Sequence, residues 1–167
     1  MTKFLREQRE VLHATEELRR QFLAVLGDAD LGYRPAPGCL SLGELCREMG
    51  EIQHTYIESF RTFRHDFGYR HDPGAAGSVA RLTEWYAQLD AELGEALAGL
   101  KEADLARTVD RGHGFAPPVP VQFHIYREAL LIFYAKAHVY LKGLGKQVDG
   151  PWRWWIGDRA DYEAATG

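Results

Sequence analysis

Seven histidines, several of them close to carboxylates, are the residues of this chain best suited to chemistry. His124 and Glu128 stand at i, i+4, the spacing at which two side chains on one helix face can share a divalent ion, although the same pair is common on solvated faces. The stretch FRHDFGYRHD repeats Arg-His-Asp at 64–66 and 70–72, which suits a loop metal site or an acid–base pair and equally suits a polar turn. His13, His54 and His138 fall within apolar-periodic stretches, so their roles depend on the face each occupies. There is no CxxC, HExxH, G-x-S-x-G or phosphate-binding glycine loop to place a nucleophile, a metal pair or a phosphate cradle.

Four helices must position these side chains. Phe4, Val11, Leu18, Phe22 and Val25 recur at helical spacing and predict a helix over 2–26. Ser41 followed by Glu44 has the form of a capping box, which opens a second helix over 41–66 with a stripe through Leu45, Met49, Ile52, Tyr56 and Phe60. A third helix, 78–100, starts at the N-cap Ser78 and carries Leu82, Trp85, Leu89, Leu93 and Leu97. The segment RTVDRGHGFAPPVP breaks helix with its glycines and prolines and predicts a long crossover loop before a fourth helix over 121–143, which Gly143 and Gly145 end. A Trp-rich C-terminal tail follows, and its tryptophans are expected to pin it to the rest. With no strand pattern and no internal repeat, the expectation is an all-α four-helix bundle forming one domain over 1–167.

Helical phase sorts the histidines. At about 100° per residue, His54 falls opposite the stripe of Leu45 and Met49, and Glu48 falls at its edge, where an unpaired carboxylate is costly. On the fourth helix His124, Glu128 and His138 share an outer sector, whereas Tyr126, Ala129, Phe133 and Tyr140 share the inner one. His124 and His138 are about 21 Å apart along the axis, too far to hold one ion. The aromatic residues Tyr56, Trp85, Tyr126, Phe133 and Tyr140 are placed either to line a central cavity or simply to pack.

Composition narrows the classes. Hydrophobic residues at 46% and charged residues at 26% are ordinary for a globular chain, so neither disorder nor a membrane protein is expected. A formal charge of −4 disfavours nucleic-acid binding, which needs a basic face. No apolar run has the length of a spanning helix or the shape of a signal peptide, which points to the cytoplasm, where Cys39 and Cys46 are expected as thiols.

The run SLGELCREMGEIQHTYIESF, with YLKGLGK far downstream, resembles the DinB/YfiT-like superfamily of four-helix bundles over nearly the whole chain. In typical members a histidine on the second helix and a His-x-x-x-His pair on the fourth bind nickel or zinc. Laid on this chain, those positions fall on Glu48, Ala129 and Phe133, so the resemblance implies a degenerate metal site and no resident cofactor. Lys136 lies near the same edge, and a Glu48–Lys136 ion pair is the expected replacement. The resemblance also implies an association with stress or DNA damage and homodimer formation. The function expected is binding of a small molecule or a protein partner, around Glu48, Ile52, Tyr56, Tyr126, Ala129, Phe133, Lys136 and Tyr140. The alternative is a metal-dependent hydrolase or thiol transferase with a rearranged site, taking zinc, nickel or manganese through residues such as His54, His124 and Glu128.

Overall fold

The computed structural model describes the backbone of residues 2–166 and the side chains of 2–163. Four long helices dominate: α1 (Lys3–Ala24), α2 (Leu42–Thr62), α3 (Val79–Gly99) and α4 (Val119–Gly143). Two short ones follow, α5 (Pro151–Trp155) and α6 (Arg159–Thr166). Among the described residues there is no strand, only isolated bridges pairing Arg64 with Asp110 and Thr108 with Pro118. None of the helices is long and apolar enough to cross a membrane.

The caps follow the sequence closely. Ser41 and Glu44 satisfy each other's backbone N–H groups at 3.2 and 2.7 Å, and Ser78 accepts from Arg81 at the start of α3. α1 ends at Ala24 rather than 26, and two further boundaries differ from expectation for a visible reason. α2 ends at Thr62 rather than 66, because Phe63 turns left-handed at φ 60° and the next residues join the 108–118 segment. An aromatic residue there is strained, but the His65 N–H donates to the Asp110 carbonyl at 2.8 Å and the Asp110 N–H donates to the Phe63 carbonyl at 3.0 Å. α4 starts at Val119 rather than 121, because Pro118 caps it and Pro120 sits in the first turn, where a missing N–H costs nothing.

Side-chain contacts set the helix directions. α2 and α3 run parallel: Tyr86 Oη donates to the Cys46 carbonyl at 2.7 Å, Gln53 Nε2 donates to Asp90 at 2.8 Å, and Arg61 reaches Glu92 at 3.7 Å. α1 and α4 are parallel as well, since Phe4 meets Phe123, Tyr134 Oη donates to the Thr15 carbonyl, and Lys146 Nζ donates to the Val25 carbonyl. α2 and α4 are antiparallel, with Tyr56 against Tyr126 near one end and Tyr140 Oη donating to the Leu40 carbonyl at the other. Each of α1 and α2 packs on both α3 and α4, so α1 and α2 lie across the diagonal.

A parallel α2–α3 pair needs a connection as long as the bundle. Residues 63–78 supply it as a strap along the outside of α2. Tyr69 stacks on His54 at 3.8 Å, the His71 N–H donates to Glu51 at 2.9 Å, and the turn Pro73–Gly77 packs on α2. Gly43 is required there, since a Cβ would overlap the Ala76 carbonyl. The segment 100–118 joins α3 to α4 across one end.

The core includes Phe22, Leu42, Met49, Leu82, Phe123 and Tyr134. Crossing it is a polar clasp. Arg19, 1% exposed, donates to Asp90 through Nη2 and to Gln53 at 2.7 Å through Nη1, tying α1, α2 and α3 together. The tail docks through one tryptophan. Trp152 is buried and stacks on Phe22 at 5.5 Å, whereas Trp154 and Trp155 are exposed, so the expectation that the tryptophans pin the tail holds for Trp152 alone.

Candidate functional site

The sequence placed Glu48, Ala129 and Phe133 together, and the fold does bring them together. Leu45, Glu48, Met49 and Ile52 from α2 face Ala129, Ile132, Phe133 and Lys136 from α4 around a groove of about 150 Å³. The spacing makes this inevitable: 45, 48, 49 and 52 lie on one side of α2, and 129, 132, 133 and 136 on one side of α4. Glu48 is the one carboxylate, and no histidine or cysteine lines the groove. A single carboxylate among apolar side chains and one lysine does not fit a resident divalent ion, which needs several converging donors.

The expected Glu48–Lys136 ion pair does not form. Lys136 is exposed, and no nitrogen–oxygen approach within 4.0 Å joins the two. With water at hand an ammonium gains little from such a pair, so its side chain stays solvated. Tyr56, Tyr126 and Tyr140 are 2%, 0% and 7% exposed and belong to the packed core rather than to an open central cavity. Tyr126 Oη is buried without a hydrogen-bond partner among the described residues.

The groove continues beneath the strap. Glu48 and Ile52 also line a second hollow of about 470 Å³, bounded by Arg47 and Glu51 of α2 and by Phe67, Tyr69 and Arg70 of the strap. Glu51 is engaged there by Arg47 at 3.3 Å and by the His71 N–H. The joined space therefore has an apolar floor and a rim carrying both signs of charge.

The outlying histidines do not join this groove. His54 faces away from the core, as expected, and stacks on Tyr69. His124 and Glu128 are both exposed, and His124 rests edge-on against Phe4 at 5.8 Å. His138 was expected on an open face, but the tail covers it. Trp152 Nε1 donates to its Nδ1 at 3.3 Å, which leaves the proton on Nε2, 3.0 Å from Asp161. Asp158, Asp161 and His138 bring ligand atoms within 4.8 Å of one another. Lys142 already fills that space, with Nζ 2.6 Å from Asp161 and 3.4 Å from Asp158, and its hydrogen bond holds the Asp161 carboxyl down at about 2. The two aspartates also cap the first turn of α6. The cluster is accounted for as the clamp on the tail.

One polar network escaped the sequence reading. At the end of the bundle where α4 begins, Arg111 Nη1 donates to Gln122 Oε1 at 2.8 Å. Because a guanidinium can only donate, this fixes the amide: Gln122 Nε2 then donates to Ser59 Oγ at 2.9 Å and to His65 Nδ1 at 3.0 Å. His65 therefore carries its proton on Nε2, which is buried and has no partner among the described residues. Burial, reinforced by the Arg111 charge, pushes the imidazole down to about 4. The signal was present in principle, since Gln122 shares the buried stripe of Tyr126, Ala129 and Phe133.

Comparison with known proteins agrees with this architecture. Among solved structures the chain is similar to a DinB-like protein from Bacillus cereus, with a TM-score of 0.71 and 20% identity over 88% of this chain and 94% of the other. It is also similar to the mycothiol-dependent maleylpyruvate isomerase, with a TM-score of 0.63 and 14% identity over 86% of this chain and 70% of that one. At such identities the likeness is one of fold. No curated protein matches the chain. The sequence model of the DinB superfamily matches residues 11–129, most of the bundle from α1 into α4, and the chain belongs to that superfamily.

Proposed function

We propose that this protein is a small-molecule-binding member of the DinB superfamily whose groove between α2 and α4 works without a resident metal ion. The observation that carries the reading is the groove lining: Ala129 and Phe133 face Glu48 where the family resemblance expects three histidines. An apolar floor beneath a charged rim suits a ligand with a hydrophobic body and a polar end, bound by burial and oriented by Arg47 or Arg70.

Metal content is the first test. Tag-free protein incubated with zinc, nickel or manganese and then freed of loose ions should retain well below one ion per chain by elemental analysis. Retention of about one ion per chain would overturn this reading in favour of the alternative, a metal-dependent hydrolase or thiol transferase. The groove itself is tested with the dye 1-anilinonaphthalene-8-sulfonate. Ala129→Trp, which fills the floor, should abolish the blue-shifted emission of bound dye without lowering the melting temperature by more than a few degrees. Unchanged emission would remove the groove from consideration.

A further inference from the structure

The cleft at the α4-starting end of the bundle shares Tyr69 with the hollow beneath the strap but none of its lining with the groove itself, and its reading does not depend on how the groove is read. It encloses about 690 Å³ between the end of α2, the first residues of the strap and the 110–112 turn. Three carboxylates line it, and each is engaged locally: Asp66 by the Gly68 N–H at 2.8 Å, Asp110 by the Gly112 N–H at 2.9 Å, and Glu58 by Arg61 at 2.7 Å. The two guanidiniums that line it, Arg64 and Arg111, have no carboxylate of the described residues within 4.0 Å.

Arg111 is the informative one. It is half-buried, so its charge has lost part of its hydration. Its Nη1 is committed to Gln122 and, at 3.4 Å, to Tyr56 Oη. Its Nε and Nη2, the edge that receives a carboxylate with two parallel hydrogen bonds, have no partner among the described residues. The Tyr56 and Phe67 rings lie 5.4 and 5.8 Å from the guanidinium carbon, a cation–π contact that leaves the Nε–Nη2 edge unused. His65, 7% exposed, lines the same cleft, and its Nε2–H is shut off from solvent with no acceptor among the described residues. The buried Gln122 bonds both residues, so a fixed amide holds the Arg111 guanidinium in place and leaves its Nε–Nη2 edge free.

We propose that this cleft is a binding site for a small organic carboxylate, taken two-pronged by Arg111. The stacked Tyr69 and His54 rings form a wall against which a flat body can lie. Arg64, exposed and without a fixed partner, adds long-range attraction but no geometry.

The test is a titration of 15N-labelled protein with sodium benzoate at constant ionic strength, following the arginine Nε–H signals. The Arg111 signal should move saturably, and Arg111→Gln should weaken binding at least tenfold. Arg111→Lys keeps the charge but loses the fork, so it should weaken binding by a comparable factor, and it serves where the glutamine variant fails to fold. Arg64→Gln should cost no more than about threefold, in line with a solvated charge. An unmoved Arg111 signal at saturating benzoate, undiminished affinity in Arg111→Lys, or tighter binding of inorganic phosphate than of benzoate would each overturn the assignment.

Discussion

Glu16, partly buried, and His65, buried, are two groups whose protonation shifts act on stability in opposite senses. Burial, with the Asp90 charge adding to it, pushes Glu16 up to about 7, so between its unfolded value of 4.5 and 7 the native state binds the extra proton. Stability from this group therefore falls as pH rises through that window. His65 has the opposite sense: its native value of about 4 lies below the unfolded 6.5, so the unfolded state binds the extra proton and stability rises with pH. From 4.5 to 6.5 the two slopes oppose. Glu16→Gln should remove one of them, leaving urea midpoints that rise across this range and a gain of about 1 kcal/mol at pH 8, discounted for partial solvation. A variant with the wild-type pH profile would show that Glu16 titrates normally. Neither shift was legible in the sequence, because each depends on neighbours contributed by other helices.

At the scale of elements, the strap has the tightest steric demands. Gly43 lets the turn Pro73–Gly77 press on α2, and Gly50 lets the Trp85 ring do the same from α3. The obstacle at Gly43 is backbone, which cannot rotate aside, so Gly43→Ala should destabilise by about 2–3 kcal/mol. Urea unfolding checks this, and a variant within 0.5 kcal/mol of wild type, about the size of a neutral surface change, would mean the strap is loosely attached. The helices themselves could be read from the sequence because Ser41, Glu44 and Ser78 are local signals and the stripes are periodic. Phe63 was misread as helical because nothing in its neighbourhood announces a left-handed turn; the distant Asp110 segment holds it. Gln53 and Gln122 sat on apolar stripes in plain view, but a polar residue at a core position names no partner until the helices are assembled.

For the whole molecule, the tail matters through one side chain. Trp152 stacks on Phe22 of α1, and its indole N–H bonds His138 of α4. Trp152→Ala should cost about 3–5 kcal/mol, the usual range for emptying an aromatic core position, and should expose His138. Trp154→Ala and Trp155→Ala should stay within about 0.5 kcal/mol of wild type by the same unfolding measurement. The groove positions Glu48, Ala129 and Phe133 could be placed from sequence because helical phase plus a family anchor fixes a face. The missing ion pair could not, since solvent competition is set by how far Lys136 stands from cover.

The diagonal placement of α1 and α2 bears on how the chain is made. These helices have no extensive contact with each other and are held jointly by α3 on one side and α4 on the other. A nascent chain that has emerged only through α3 would leave the α4-facing surfaces of both helices bare, including Phe4 and Phe22, which await Phe123 and Phe133. Closure must wait until α4 has been made. On the ribosome, the growing chain would be exposed to chaperone capture until α4 clears the exit tunnel and inserts.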